Sequence, residues 1–188
     1  MPEKIPDRIA WAVAALEIGG ADRVLEIGGG PGVAASLVCS RLDTGRMLLI
    51  DRSATAIERT RRRNAEHLSS GRLQLETVEL REFEARGRQF DKVFAVNVNV
   101  FWTGPATEEL ARVREALAPG GRLFLFYETP SAARARDVAT RVADALRANG
   151  FAAPGLRRHL GAGPAVASVH VLDPLEPGTV LERVPEPP

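Results

Sequence analysis

Short apolar runs alternate along the chain with longer segments in which apolar residues recur at helical spacing. The short runs predict strands at residues 23–27, 47–50, 73–78, 90–97 and 122–127. The longer segments predict helices at residues 7–18, 33–41, 53–67, 105–117 and 131–149. Strands alternating with helices of this length predict βαβ units, hence a parallel sheet with helices on both faces.

The C-terminal part departs from this alternation. Two extended segments, residues 151–160 and 165–172, are separated only by a short Gly/Pro loop, so they must run antiparallel. The sequence therefore predicts a three-layer α/β/α sandwich with a mostly parallel, doubly wound, seven-stranded sheet and an antiparallel C-terminal strand. The domain is predicted to span residues 1–172, with 1–20 as an N-terminal helix or lid region. Residues 173–188 are Pro-rich and are predicted to form a loose tail.

Composition narrows the functional classes. Apolar residues make up 45% of the 188 and charged residues 26%, as in a soluble domain. A net charge of +1 provides no overall field toward nucleic acid or an anionic membrane. The single cysteine, Cys39, excludes an intrachain disulfide, and the start of the chain lacks the pattern of a secretion signal. We therefore expect a cytoplasmic protein without membrane association.

A glycine-rich turn at residues 28–32, Gly-Gly-Gly-Pro-Gly, connects the first strand to the next helix. Glycines let a ligand approach the backbone closely, and the helix start offers free N–H groups. The dinucleotide fingerprint requires glycine at position 33, where Val33 stands. Glu26, beside the turn, would repel a pyrophosphate but suits a cationic ammonium and sulfonium. The turn therefore favours S-adenosylmethionine (SAM) over a nicotinamide dinucleotide.

Asp51 ends the second strand, at the edge of the sheet where such folds bind ligands. Its carboxylate can accept hydrogen bonds from both ribose hydroxyls of either cofactor. Asp51 thus predicts an adenosine site without choosing between the two.

Four segments in this order resemble class I SAM-dependent methyltransferases over about residues 7–172: the glycine turn with its preceding strand, Asp51, residues 90–97 and residues 117–123. The resemblance implies that SAM is the methyl donor and S-adenosylhomocysteine the product. It also implies a set of cofactor-binding residues: Glu26, Gly28, Gly29, Gly30 and Gly32 around the methionyl part, Asp51 at the ribose, Arg52 beside the adenine, and Asn97 at the sulfonium side. The family often places an acidic residue at the adenine amine, for which Glu79, followed by Leu80, is the nearest candidate.

Methyl transfer depends mainly on alignment, so no catalytic triad is required, and the acceptor decides whether a base is needed. Catalytic candidates near the carboxyl ends of the strands are Asn97, Tyr127 and His159. An exposed polar strand end is the alternative interpretation of His159. Phe101 and Trp102 are candidates for an apolar wall, with ordinary packing as the alternative. No metal site is predicted.

The acceptor is predicted to be a small molecule rather than nucleic acid. Glu58 and Glu66 flank the arginine-rich residues 59–63, which favours a solvated helix face. Residues 97–100, Asn-Val-Asn-Val, stand where many exocyclic-amine DNA methyltransferases carry Asn/Asp-Pro-Pro-aromatic. The compact domain is compatible with an open site or a lid from a second subunit, as in a homodimer. Two alternatives stay open: a non-catalytic SAM-binding partner protein and an NAD(P)-dependent oxidoreductase.

Overall fold

The computed structural model describes residues 5–151 with their side chains and the backbone of residues 155–159 and 165–172. The helices in these ranges are α1 (Asp7–Ala15), α2 (Val33–Cys39), α3 (Ala54–Arg63), α4 (Ala65–Ser69), α5 (Val100–Thr103), α6 (Thr107–Ala116) and α7 (Ala132–Ala148). The strands are β1 (Arg23–Ile27), β2 (Arg46–Asp51), β3 (Leu73–Thr77), β4 (Phe90–Val96), β5 (Leu117–Thr129), β6 (Gly155–His159) and β7 (Ala165–Leu172). The predicted tail, residues 173–188, lies outside the described residues.

Five strands form a parallel central sheet in the order β3-β2-β1-β4-β5, which confirms the predicted α/β fold. Beyond β5, the backbone register places β7 antiparallel to β5 and β6 antiparallel to β7. The chain leaves β1 toward β2 on one side and returns to β4 on the other. This reversal opens a crevice at the carboxyl ends of β1 and β4, where ligands bind in sheets of this kind.

Helices cover both faces of the sheet because alternate strand residues point to opposite sides. Leu25 and Ile27 lie in an apolar layer with residues of α5, α6 and α7. Val24 faces the other layer, which includes residues of α1 and α2. Glu26 shares the face of Val24, so this carboxyl group enters an apolar layer.

Local signals placed several element ends as predicted. Arg23–Ile27 is β1, and Ser53 caps α3 by accepting a hydrogen bond from the Ala56 N–H (3.2 Å). Asp7 opens α1, but the capping position is Pro6, without a side-chain cap.

Three features of the secondary structure differ from the sequence prediction by more than a few residues at the end of an element. The predicted helix over residues 53–67 is two helices, α3 and α4, divided at Asn64. The short helix α5 was not predicted. β5 begins at Leu117, which pairs with Phe90, and a register shift follows before Arg122 pairs with Lys92. α6 ends at Ala116, close to the predicted end of this helix, and residues 118–121 form an irregularity within β5. Among the helices of the described ranges, none has the length and apolarity to cross a membrane.

Candidate cofactor site

A cavity of about 500 Å³ lies at the carboxyl ends of β1, β2 and β4, where the strand order reverses. Six of the predicted cofactor residues line it: Gly28, Asp51, Arg52, Glu79, Leu80 and Asn97. Other lining residues carried no motif and were missed: Val78, Arg81, Val98, Val100, Thr103 and Glu109. The other four predicted cofactor residues, Glu26, Gly29, Gly30 and Gly32, are not among the lining residues. The sequence thus located the cavity but only part of its wall.

The glycine turn lies against the end of β2. The Gly28 N–H donates to the Ile50 carbonyl (2.8 Å), and Gly32 is the capping residue of α2. A Cβ added to Gly29 would lie 2.2 Å from Leu49 Cδ1, so a larger residue fits there only if the Leu49 side chain moves. Gly30 has a φ of +54°, yet an added Cβ would meet no atom within 4 Å. The backbone at Gly30 therefore borders open space that a ligand can occupy.

Asp51 connects the turn to the start of α3. Its Oδ2 accepts a hydrogen bond from the Gly30 N–H (3.0 Å), and its Oδ1 accepts one from the Ser53 N–H (2.8 Å). Two ionised carboxylate oxygens offer about four acceptor sites, so capacity remains for ribose hydroxyls. Asp51 therefore fixes the turn and still presents an acceptor to the cavity it lines.

Glu26 lies directly beneath the turn. A Cβ added to Gly29 would lie 3.1 Å from Glu26 Cδ. The residue is 3% exposed, and its Oε2 has no hydrogen-bond partner among the described residues. Burial, and to a lesser degree the charge of Asp51, raises the pKa of Glu26 to about 8. A buried carboxyl without partners is costly, and a cationic group in the crevice would compensate for this cost.

The opposite end of the cavity carries charged groups of both signs. Arg81 Nε lies 2.9 Å from Glu79 Oε2, and both side chains are well exposed. The Glu79 carboxylate therefore pairs with Arg81 and, like that of Asp51, keeps acceptor capacity for an adenine amine. Glu109 of α6 and the exposed Arg52 line the same cavity.

Asn97 follows β4 with a φ of +57° and lines the cavity. Its backbone N–H donates to the Phe126 carbonyl (2.8 Å), and its Oδ1 accepts from the Glu128 N–H (2.8 Å). These bonds join the ends of β4 and β5, so the position of Asn97 is well determined. Its side chain therefore lies at the cavity edge nearest β5.

The contacts of Tyr127 favour a positioning role over the predicted catalytic one. The side chain is 3% exposed, and its hydroxyl donates to the Val98 carbonyl (3.0 Å). Burial raises the pKa of Tyr127 above its ordinary value, which disfavours proton transfer at neutral pH. It is not among the cavity-lining residues. Its hydrogen bond instead holds the backbone of Val98, a residue that does line the cavity.

The remaining candidates contribute no described side chain to the cavity. The backbone of His159 pairs with Val166, and its side chain lies outside the described residues. Phe101 is fully buried in the core. Trp102 donates from Nε1 to Asn99 Oδ1 (3.3 Å), and the Arg134 guanidinium lies 5.1 Å from its ring centre. Packing, rather than an apolar wall, describes Phe101 and Trp102.

Replacing Tyr127 with phenylalanine tests its positioning role. We expect Tyr127→Phe to retain methyl transfer within about fivefold of wild type, because it loses one hydrogen bond of about 1 kcal/mol. Loss of a general base would cost about a hundredfold or more. Single-turnover rates of methyl transfer distinguish these two outcomes. A hundredfold loss of rate would show that Tyr127 is a catalytic residue.

The sequence signature of a family described as a methyltransferase domain matches residues 24–121. This chain belongs to that methyltransferase family. The matched region contains the glycine turn, Asp51 and Asn97, so the part of the chain that identifies the family also contributes to the cavity wall. No curated protein matches this methyltransferase in sequence.

Solved structures share its fold. The N-methyltransferase NodS from Bradyrhizobium japonicum WM9 aligns with a TM-score of 0.68 at 18% identity, covering 89% of this chain and 95% of its own. A SAM-dependent O-methyltransferase from Thermotoga maritima aligns with a TM-score of 0.68 at 13% identity, covering 92% and 67%. Magnesium protoporphyrin IX methyltransferase from Synechocystis PCC 6803, solved with bound SAM, gives 0.62 at 16% identity, covering 87% and 75%.

These findings confirm the sequence-based recognition of a class I SAM-dependent methyltransferase. They favour this assignment over the nicotinamide-dependent alternative. SAM use is a trait of the family, and the cavity together with the glycine turn beside it fits this cofactor: Asp51, in the cavity wall, offers a ribose-compatible carboxylate, while an unpartnered carboxyl lies beneath the turn and open space borders Gly30.

Proposed function

We propose that this methyltransferase transfers a methyl group from SAM to a small-molecule acceptor in the cytoplasm. The observation that carries the cofactor assignment is the buried carboxyl of Glu26, whose Oε2 has no partner in the described part of the chain. When bound, SAM supplies a methyl group on a cationic sulfonium. Glu26 and the turn at Gly28, Gly29, Gly30 and Gly32 would hold its methionyl part.

The other cofactor contacts follow from the cavity wall. Asp51 would accept hydrogen bonds from the ribose, and Arg52 would lie beside the adenine. Glu79 and Leu80 lie at the same end, although Glu79 already pairs with Arg81. Asn97 would face the sulfonium side, because its bonds to β5 fix it at that edge of the cavity. His159 remains the proposed base for acceptors that need one.

The basic helix face supports a small acceptor over nucleic acid. Arg61 and Arg62 of α3 both lie near Glu58, with Nε–Oε distances of 3.7 Å and 2.8 Å. Part of the positive charge on this face is therefore neutralised within the helix. A net charge of +1 adds no overall attraction for a polyanion.

The acceptor side lies next to α1 in this proposal. Arg8 of α1 is 3.2 Å from the Glu128 carboxylate, and Trp11 packs edge-on against Phe126 of β5. We infer that residues 1–20 act as a partial lid there, which a second copy in a homodimer would complete. The proposed domain spans residues 1–172, with seven strands and β7 as the reversed strand, before the tail at 173–188.

The cofactor assignment is tested by calorimetric titration of the whole chain with SAM, S-adenosylhomocysteine and NADH. We expect micromolar binding of the first two and none of the third. Binding of NADH alone would overturn the proposal. A panel of phenols, alcohols and amines with labelled SAM then tests the small-molecule acceptor, and labelling confined to an RNA or DNA substrate would contradict it.

Replacing Asp51 with alanine tests the ribose assignment. Asp51→Ala should weaken SAM binding by about 1.5–3 kcal/mol, the usual value of hydrogen bonds to a charged group. Asp91→Ala is the matched control, because Asp91 pairs with Arg23 at the amino end of β1, away from the cavity. Unchanged affinity in Asp51→Ala, or an equal loss in both variants, would contradict this placement.

A further inference from the structure

The backbone of the glycine turn is held from α3 and its C-terminal boundary. Three consecutive carbonyls of the turn each accept a hydrogen bond from a side chain at that end of the helix. The pairs are Thr60 Oγ1 to Gly30 O (2.8 Å), Arg63 Nε to Pro31 O (2.9 Å) and Asn64 Nδ2 to Gly32 O (3.1 Å). Residues 60, 63 and 64 share one helix face, since side chains three and four residues apart are neighbours.

The two inner donors are fully enclosed. Thr60 is 0% exposed and Asn64 is 1% exposed, although both are polar. Asn64 also donates from Nδ2 to the Thr60 carbonyl (3.1 Å), at the point where α3 ends. Neither residue lines the cavity, so any effect on the cofactor must pass through the turn.

Both backbone polar groups of Gly30 are therefore restrained. Asp51 accepts from its N–H, and Thr60 donates to its carbonyl. Asp51 also accepts from the N–H of Ser53, the residue that caps α3. Hydrogen bonds thus connect Asp51, the glycine turn and α3 to one another. Gly30, which borders open space, is held between them.

We propose that Thr60 and Asn64 are positioning residues for the cofactor, which hold the glycine turn at the distance from β2 that SAM binding requires. This inference rests on the proposed function. Without these bonds, the turn must be ordered when the cofactor arrives, and part of the binding free energy is spent on that ordering. Arg63, which is exposed, contributes a weaker restraint of the same kind through its bond to the Pro31 carbonyl. The helix face at residues 59–63, predicted to be solvated, therefore also contacts the turn.

Replacing Thr60 with valine removes the hydroxyl and keeps the β-branched shape. We expect Thr60→Val to weaken SAM and S-adenosylhomocysteine binding about tenfold, the effect of about 1.4 kcal/mol. Thr60→Ser, which keeps the hydroxyl, should bind within about twofold of wild type. Thr129→Val is the matched control, because it removes a similarly buried hydroxyl that donates to the Ser131 carbonyl (3.0 Å). Calorimetry gives the affinities, and thermal unfolding without ligand checks folding.

Each outcome supports or overturns the inference. Normal affinity in Thr60→Val overturns it, as does an equal loss in Thr60→Val and Thr129→Val. If the wild type binds no SAM, the proposed function fails instead, which is a separate result. Where Thr60→Val does not fold, the exposed Arg63→Ala replaces it, with an expected loss of about threefold, and unchanged binding there overturns the inference.

Discussion

A Gly30→Val variant should lose SAM binding by about a hundredfold or more, equivalent to about 2.7 kcal/mol, while remaining folded. The physical reason is that an added Cβ at Gly30 points into open space rather than into the protein. The isopropyl group would therefore occupy the volume proposed for the methionyl part of SAM. Calorimetry with SAM measures the loss, and circular dichroism and thermal unfolding verify the fold.

Backbone strain must be separated from steric blocking, because Gly30 has a φ of +54° that β-branched residues rarely adopt. Gly71 provides the control. It has a φ of +69°, an added Cβ there also meets no atom within 4 Å, and it precedes β3, at the amino end of the strands and away from the glycine turn. Gly71→Val should show a similar loss of stability with normal SAM affinity. Normal binding by Gly30→Val would show that the turn does not hold the cofactor.

Local signals in the sequence were sufficient for the central part of this site. The glycine turn needs only its own backbone conformation and the preceding strand, and Asp51 lies at the end of an apolar run. Ser53 accepts from an N–H three residues later, so its capping role is also local. The turn, Asp51 and the start of the helix at residue 53 were predicted because each depends on residues that are close together along the chain.

Other features depend on contacts that only the folded chain creates. α3 ends at Asn64, whose side-chain amide bonds to Gly32, 32 residues earlier. β5 begins at Leu117 because Phe90 provides a pairing partner there. Arg81 and Glu109 reach one cavity from separate elements. No local pattern distinguishes these residues from ordinary surface or helix positions.

The partners of the Tyr127 and Glu79 side chains show another limit of prediction from sequence. Their positions near the carboxyl edge were compatible with roles in catalysis and adenine binding. The structure gives each a partner, the Val98 carbonyl for Tyr127 and Arg81 for Glu79. A sequence indicates which groups are near the crevice, but not which of them are already hydrogen-bonded.

SAM binding at pH 7 should release a proton from wild type and none from Glu26→Gln. Without cofactor, the raised pKa of about 8 keeps the Glu26 carboxyl mainly protonated at neutral pH. A cationic ligand group nearby favours the carboxylate, so binding lowers this pKa and expels the proton. Affinity should therefore rise with pH and level off above about 8. Calorimetry in two buffers of different ionisation enthalpy measures the proton count.

Glu26→Gln keeps the shape of the side chain and removes the titration. We expect it to bind SAM with a loss of about 1.5–3 kcal/mol, the usual value of hydrogen bonds to a charged group. S-adenosylhomocysteine separates the two cations of SAM, because it keeps the ammonium and lacks the sulfonium charge. Equal proton release with both ligands assigns the ammonium as the partner of Glu26. Undiminished release in Glu26→Gln would exclude Glu26 as its source.

The same carboxyl group should impose a pH dependence on the free protein. Its pKa is raised from the ordinary value of 4.5 to about 8 in the folded state, so its contribution favours folding most below pH 4.5. That contribution is lost as pH rises toward about 8, by about 1.4 kcal/mol for each pH unit between the two values. Unfolding free energies of wild type should therefore fall relative to Glu26→Gln over this range. Saturating SAM should reduce the difference in slope, since the bound cation stabilises the carboxylate that burial disfavours.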